Sequence, residues 1–192
     1  MNYSSDSGPL RIGIAGLGTV GRGVVKVLQR NSALVAARSG REIVITGISA
    51  RSRGVDRGVD MDGYRWYDNP LAMAEADDID VIVELIGGSD GVAKALAEAA
   101  LRNGKSLVTA NHHGATLAAL AEEKGLAIRL DAAVAGGIPI IKAISDGLAA
   151  NRAESVFGIL NGTCNYILTE MERTGRSFAD VLDDAQRLGY AE

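Results

Sequence analysis

Arg11-Ile-Gly-Ile-Ala-Gly-Leu-Gly-Thr-Val-Gly-Arg-Gly23 is the stretch on which the reading of the fold turns. An apolar run at 12–15 meets three glycines, Gly16, Gly18 and Gly21, and Val20, Val24, Val27 and Leu28 then recur at helical spacing. The order is strand, tight turn, helix. Gly16 can take the backbone angles of a sharp turn, Gly18 lets the main chain approach a pyrophosphate, and Gly21 lets the helix pack closely on its strand. Amide N–H groups at the helix start then face the phosphates, where the helix dipole favours negative charge. Such a glycine pattern alone is weak, because a turn of this kind can serve packing only. Its place between a strand and a helix is what points to a dinucleotide.

The remaining composition narrows the class. A chain of 192 residues suits one large or two small domains, and 47% hydrophobic residues with 24 glycines fit an α/β protein with many strand-to-helix turns. Aromatic residues make up only 4%, too few for base-stacking platforms, and a net charge of -4 argues against a nucleic-acid or anionic-membrane partner. The single cysteine, Cys164, excludes an internal disulfide and a Cys-rich metal cluster, which is the pattern of a reducing cytoplasm. Residues 1–9 are polar and lack the basic and apolar regions of a signal peptide, so they read as a flexible lead-in.

Outward from the glycine turn, residues 31–41 read as a connector and 42–48 as a second strand. An acidic residue near the end of that strand would hold the ribose hydroxyl of NAD, whereas arginine there can hold the 2′-phosphate of NADP. The chain offers Ser49-Ala-Arg51-Ser-Arg53, favouring NADP, with a solvated basic loop as the plainer reading and Asp56 as the alternative acid. Residues 54–68 form a surface excursion anchored by Trp66 and Tyr67, and 70–76 a short helix capped by Asn69 with Pro70 in its first turn.

Asp80-Val-Ile-Val-Glu-Leu-Ile-Gly-Gly88 is a strand covered on both faces, broken by Glu84, an acid read as hydrogen-bonded to a neighbouring loop and without a catalytic role. A helix at 90–103, a strand at 106–109, a helix at 114–124 and a strand at 126–131 follow. This alternation implies right-handed crossovers in a parallel sheet. The expected organisation is a dinucleotide-binding domain over 10–132 and a second, α+β unit over 133–192. The latter comprises a helix at 140–149 burying Ile140, Ile141, Ile144 and Leu148, a strand at 155–160, a helix after Asn161, and a last helix capped by Ser177.

The chain resembles the homoserine dehydrogenases from Leu10 onward. The resemblance is carried by Gly-Leu-Gly-Thr-Val-Gly at 16–21, Val-Glu-Leu-Ile-Gly-Gly at 83–88 and Val-Thr-Ala-Asn at 108–111. More specific are Ala-Val-Ala-Gly-Gly-Ile-Pro-Ile-Ile at 133–141, Gly-Ile-Leu-Asn-Gly-Thr-Cys-Asn-Tyr-Ile-Leu at 158–168 and Leu-Gly-Tyr-Ala-Glu at 188–192. The resemblance implies a Rossmann-type parallel sheet with helices on both faces, followed over 133–192 by a partial domain for substrate and dimer contacts. It also implies hydride transfer between L-homoserine and L-aspartate 4-semialdehyde with NAD or NADP, on the route to threonine and methionine, commonly in a homodimer.

By the same resemblance, Gly16, Gly18, Thr19, Val20 and Gly21 would hold the cofactor, with Arg51 and Arg53 near the adenosine ribose. Gly87 and Gly88 would lie under it, and Thr109, Ala110 and Asn111 beside the nicotinamide. Gly162, Thr163, Tyr190 and Glu192 match substrate positions, Glu192 receiving the amino group of homoserine. A monovalent-cation loop maps onto Asp131, Val134, Gly136 and Ile138, with aspartate at 131 where the family pattern has glutamate.

Two departures bear on the chemistry. The family follows Thr-Ala-Asn with a lysine and several further residues, whereas Asn111 here runs into His112-His113-Gly114. Gly-Tyr-Ala-Glu in the family leads into a segment bearing an aspartate and a lysine at the reaction centre, positions that lie beyond Glu192. Proton transfer to or from the alcohol needs such a group. Lys26, Lys94, Lys105, Lys124 and Lys142 all read as helix-surface or turn residues, leaving His112 as a weak candidate beside the plainer exposed-turn histidine. A His112-His113 metal site lacks neighbouring ligands, and Cys164 reads as a small buried residue at a helix start. Three functions stay open: the dehydrogenase itself, an NADP-binding member that does not catalyse, and an oxidoreductase on another small aldehyde with His112 as base.

Overall fold

The structure is a computed structural model that describes residues 8–88, 90–111, 114–130, 138–152, 154–155, 157–158 and 161–191. The chain divides into two compact units, Met1–Pro139 and Ile140–Glu192.

The first unit is built on six parallel strands. They are β1 (Leu10–Ala15), β2 (Ile43–Ser49), β3 (Arg65–Trp66), β4 (Val81–Glu84), β5 (Ser106–Thr109) and β6 (Ile128–Arg129), in spatial order β3-β2-β1-β4-β5-β6. All five pairings are parallel. Parallel neighbours need crossovers, and the helices α1 (Thr19–Ser39), α2 (Val92–Arg102) and α3 (Gly114–Glu123) supply three of them. This is the doubly wound strand order, with β1 at its centre.

Side-chain alternation along the strands divides the core between two faces. Ile12 and Ile14 of β1 pack with Val25 of α1, Ile45 and Ile48 of β2 and Val83 of β4. On the other face Ile82 and Leu107 meet Leu96 and Leu101 of α2, Leu117 of α3, and Met73 and Ile79. Each fully buried aliphatic side chain contributes about 1.5–3 kcal/mol of transfer free energy, so this double-sided sheet carries the stability of the unit. Together the order, the parallel pairing and the two covered faces make it the Rossmann-type sheet implied by the sequence.

Local differences from the sequence reading have identifiable causes. The connector expected at 31–41 is the second half of α1, which continues to Ser39 through a kink at Asn31 (φ -118°, ψ 20°). Ala33, Leu34, Val35, Ala36 and Ala37 prolong the helix, and Gly40 in the left-handed conformation ends it (φ 72°). The excursion at 54–68 returns to the sheet as β3, whose Arg65 and Trp66 pair with Gly47 and Ile48. Two residues are too few to show a strand period. At 70–74 the helix is a 3₁₀ turn, capped as expected by Asn69, whose side chain accepts from the Leu71 amide at 3.0 Å.

In the second unit, α4 (Ile140–Lys142) runs into one π turn at Ala143–Gly147, and α5 (Gly162–Thr174), ended by Gly175 in the left-handed conformation (φ 68°), packs against α6 (Phe178–Arg187). Asn161 caps α5 through the Cys164 amide at 2.7 Å, and Ser177 caps α6 through the Asp180 amide at 3.3 Å. Ile167, Val181 and Ala185 are buried between the two helices. Ile140, Ile141 and Leu148, expected on a buried side, are exposed, because nothing else described in this unit packs on α4. The strand expected at 155–160 falls partly outside the described residues; Ser155, Phe157 and Gly158 are described and are not in a strand.

Candidate functional site

The carboxyl end of β1 is where the sheet opens. The Gly16 amide donates to the Ser49 carbonyl at 2.8 Å on one side, while the Leu85 amide donates to the Ala15 carbonyl at 2.7 Å on the other. Beyond these bonds the chain after β1 and the chain after β4 turn toward opposite faces, forming the crevice in which doubly wound sheets take ligands. A cavity of about 550 Å³ occupies it. Gly16, Leu17 and Gly18 line it after β1; Ser49 ends β2 and Ala50, Arg51 and Ser52 lie beyond it, and Leu85, Ile86 and Gly87 lie beyond β4.

Its glycines are there for different physical reasons. Gly16 has φ 101°, and a Cβ there would run into the Leu85 carbonyl. A Cβ on Gly21 would strike the Gly16 carbonyl, so close contact between α1 and the turn depends on its absence. Gly18, on the cavity wall, has nothing within 4 Å of its Cβ position, leaving open the space a phosphate would occupy. It is also the N-cap of α1, with no side-chain cap and no acid in the first turn. The unsatisfied N–H groups of that turn and the positive end of a 21-residue helix therefore face an uncluttered space. These residues fit a dinucleotide pyrophosphate. Thr19 and Val20 open the helix and are exposed.

Charge on the β2 side is mainly positive. Arg51 lies exposed on the cavity wall, and among the described residues it has no hydrogen bond or ion pair. Arg53 is not on the wall; its guanidinium lies 5.8 Å from the Trp66 ring centre. Arg57, which the sequence reading did not single out, is on the wall and buried. It stacks on Trp66 at 5.7 Å and donates to the Val55 carbonyl at 2.9 Å and to the Ser52 carbonyl. Asp56 accepts the Gly58 amide at 2.9 Å in its own turn, off the wall. Asp68 is on the wall, with one oxygen taken by the Trp66 indole N–H at 2.9 Å. Arg57 lies in an irregular Gly- and Asp-rich loop, where no period marks which side chain turns inward.

On the β4 side Glu84 is wholly buried. It accepts from the Ile86 amide at 2.7 Å, from the Thr109 hydroxyl at 2.5 Å, and from the Asn111 side-chain amide at 2.8 and 3.0 Å. Asn111 also donates to the Ile86 carbonyl at 2.6 Å, and its backbone amide donates to the Thr109 hydroxyl at 3.0 Å. The Ala110 amide donates to the Glu84 carbonyl at 3.1 Å. Thr109, Ala110 and Asn111 are thus brought against the loop bearing Gly87 and Gly88, both of which are exposed. The hydrogen-bonded reading of Glu84 holds.

Among the substrate positions, Thr163 and Tyr190 come together. The Thr163 hydroxyl donates to the Tyr190 carbonyl, and both residues line a cavity of about 520 Å³ with Asn161, Cys164, Gly189 and Ala191. Gly162 starts α5 beside it, and the Tyr190 ring meets Tyr166 edge-on with centres 5.0 Å apart. Cys164 is exposed rather than buried, because the first turn of α5 faces that cavity. Glu192, His112, His113, Asp131, Val134 and Gly136 lie outside the described residues, while Ile138 is described and exposed. Lys26, Lys94, Lys124 and Lys142 are exposed as expected. Lys105 is not: it is buried, and its ammonium donates to the Ala76 and Ile79 carbonyls at 2.6 Å each.

A parallel sheet in this order, opened at its switch point by a glycine turn that feeds a helix, defines the first unit as a nucleotide-binding domain of the Rossmann class. The family description "Homoserine dehydrogenase, NAD binding domain" matches residues 16–136, and "Homoserine dehydrogenase" matches residues 139–192. The chain belongs to the homoserine dehydrogenase family. It is similar to the homoserine dehydrogenase of Neisseria gonorrhoeae, 46% identical over 189 residues, and to that of Pseudomonas aeruginosa, 48% identical over 194 residues. In both cases 96% of this chain and 43% of the relative are covered, so the chain spans less than half the length of these relatives. Among solved structures it resembles a homoserine dehydrogenase from Thiobacillus denitrificans, with a TM-score of 0.80 and 46% identity over 96% of this chain and 43% of that one. The S. aureus homoserine dehydrogenase at pH 6.5 gives a TM-score of 0.70 at 34% identity, covering 96% of this chain and 45% of that one. No described helix is long and apolar enough to cross a membrane.

Proposed function

We propose that this chain supplies the nucleotide-binding domain and part of the substrate domain of a homoserine dehydrogenase, serving hydride transfer between L-homoserine and L-aspartate 4-semialdehyde in threonine and methionine biosynthesis. The observation that carries the reading is the open cradle at Gly18, at the mouth of α1, within a chain of this family. The cofactor supplies the hydride chemistry when bound. The chain's own contribution is to orient it: Gly16, Gly18, Thr19, Val20 and Gly21 at the pyrophosphate, Gly87 and Gly88 beneath, and Thr109, Ala110 and Asn111 toward the nicotinamide. Gly162, Thr163, Tyr190 and Glu192 are the proposed contacts for the amino acid.

NADP is the proposed cofactor. A 2′-phosphate calls for a cation beyond β2, and Arg51 offers one with no described partner, supported by Arg57 and flanked by Arg53. A monovalent cation at Asp131, Val134, Gly136 and Ile138, a homodimeric state and a cytoplasmic setting belong to the same proposal.

Calorimetric titration of the chain with NADPH and NADH tests the nucleotide reading. NADPH is expected to bind at least tenfold more tightly, and Arg51→Ala to erase most of that difference, since a charge-assisted contact contributes about 1.5–3 kcal/mol. Binding of neither nucleotide overturns the proposal; an NADH preference overturns its NADP part. Homoserine-dependent formation of NADPH, followed by nicotinamide absorbance with and without potassium, then separates a catalysing chain from one that only binds.

A further inference from the structure

We infer that Glu84 is a positioning residue for the nicotinamide half of the dinucleotide site, and that it acts there without setting the adenosine half; the inference rests on the dinucleotide reading above. Two loops must keep a fixed spacing over β4 and β5 if a planar ring is to lie between them. One is the turn after β4, from Leu85 to Gly88; the other is the end of β5, from Thr109 to Asn111. Sheet hydrogen bonds reach only the start of each, through the Leu85 amide to the Ala15 carbonyl and the Ala110 amide to the Glu84 carbonyl, and the residues beyond lie past the last paired positions, Glu84 and Thr109.

Glu84 spans them. One carboxylate oxygen accepts the Ile86 amide at 2.7 Å and the Asn111 side-chain amide at 3.0 Å. The other accepts that same amide at 2.8 Å and the Thr109 hydroxyl at 2.5 Å. Asn111 closes the loop by donating to the Ile86 carbonyl at 2.6 Å. Every contact given for the carboxylate itself brings a donor to one of its oxygens. An acid wholly removed from water in a strand of valine and isoleucine is costly unless such donors surround it. Its shape cannot be supplied by an apolar residue, and glutamine would bring an amide N–H against the Asn111 amide or the Thr109 hydroxyl proton.

The adenosine half has a different support. Its groups stand on the chain after β2 and on the glycine turn, tied by the Gly16-to-Ser49 bond and by Arg57 to the Ser52 and Val55 carbonyls. The Glu84 contacts to Ile86, Thr109 and Asn111 all lie on the β4 and β5 side. A dinucleotide crosses the switch point with its adenosine ribose toward the end of β2, so the nicotinamide half falls over β4 and β5. Loss of the carboxylate therefore loosens one end of the ligand and leaves the other in place, and the consequence is a selective change rather than a general loss of affinity.

The experiment measures dissociation constants by calorimetry for two probes, NADPH and adenosine 2′,5′-bisphosphate, which carries the adenosine half alone. In Glu84→Gln, NADPH affinity is expected to fall at least tenfold while affinity for the bisphosphate stays within twofold of the parent chain. Thr109→Val, which removes one donor at nearly constant volume, is expected to show the same selectivity at about threefold. This second variant carries the test if Glu84→Gln fails to unfold cooperatively. Unchanged NADPH affinity in the variants overturns the inference, as does an equal loss for both probes, which marks a purely structural role. A parent chain that binds neither probe overturns instead the dinucleotide reading on which it stands.

Discussion

Arg11 and Asp80 show how a single pair can secure the end of the sheet remote from the crevice. The Asp80 carboxylate receives the Arg11 backbone amide at 2.9 Å and the guanidinium through Nε at 3.1 Å and Nη2 at 2.5 Å, a two-pronged contact at the entry to β1 and β4. These hydrogen bonds, chiefly those from the guanidinium, hold the Asp80 carboxyl below its ordinary pKa. A carboxyl with a depressed folded pKa contributes stability that is complete above its unfolded value, about 3.9, and is lost as pH falls through the folded value. Asp80→Asn is therefore expected to lower the urea midpoint at pH 7, with the gap to the parent chain closing as pH drops below about 4. A gap that stays constant with pH would show that the pair acts through shape alone. Lys105 lies near this end and behaves oppositely: burial, the largest influence, lowers its pKa while its ammonium serves the Ala76 and Ile79 carbonyls. Its position in a turn was legible in the sequence, but its burial was not, because nothing in a lysine's neighbours along the chain reports a 3₁₀ turn folding over it.

At the scale of the element, α1 sets an intrinsic preference against a packing limit. Alanine forms helix better than glycine by about 1 kcal/mol, so Gly21→Ala would stabilise an isolated helix. In this fold a Cβ at residue 21 meets the Gly16 carbonyl, a backbone atom that cannot turn away. Overpacking of this kind costs about 1–3 kcal/mol, which outweighs the propensity gain. Gly21→Ala is expected to lower the thermal midpoint and weaken NADPH binding, whereas Gly23→Ala, with nothing within 4 Å of its Cβ position, should leave binding intact. Equal effects of the two substitutions would refute the packing argument. The same helix marks what a period can reveal. Its start and its glycine neighbours could be read directly, but Val20 and Val27, singled out by their spacing, are more than half exposed and the buried valine is Val25. Asn31 resembled an end because a single non-helical residue and a true terminus look alike in sequence.

For the whole molecule, the alternation of strands and helices made the parallel sheet readable, and the motifs from Gly16 to Asn111 supplied the cofactor positions in the proposal. What stayed hidden was decided by contacts between distant segments: β3, the inward turn of Arg57, and the several donors gathered by Glu84. The second unit poses the remaining question, since its core is small. Ile167, Val181 and Ala185 are buried, but Leu168, Phe178, Leu188 and Tyr190 are each more than half exposed. Apolar surface regains about 25 cal/mol per Å² when covered, and a stable interface needs about 800 Å² from each partner. A second copy of the chain can provide such cover symmetrically, so the proposed homodimer should form through this unit. Sedimentation velocity across a concentration series is expected to show a dimer, and Leu168→Glu, which places a charge on that surface, to shift it toward monomer without changing the helical signal. A parent chain that sediments as a monomer at every concentration would refute the dimer, and a Leu168→Glu dimer of unchanged strength would move the interface elsewhere.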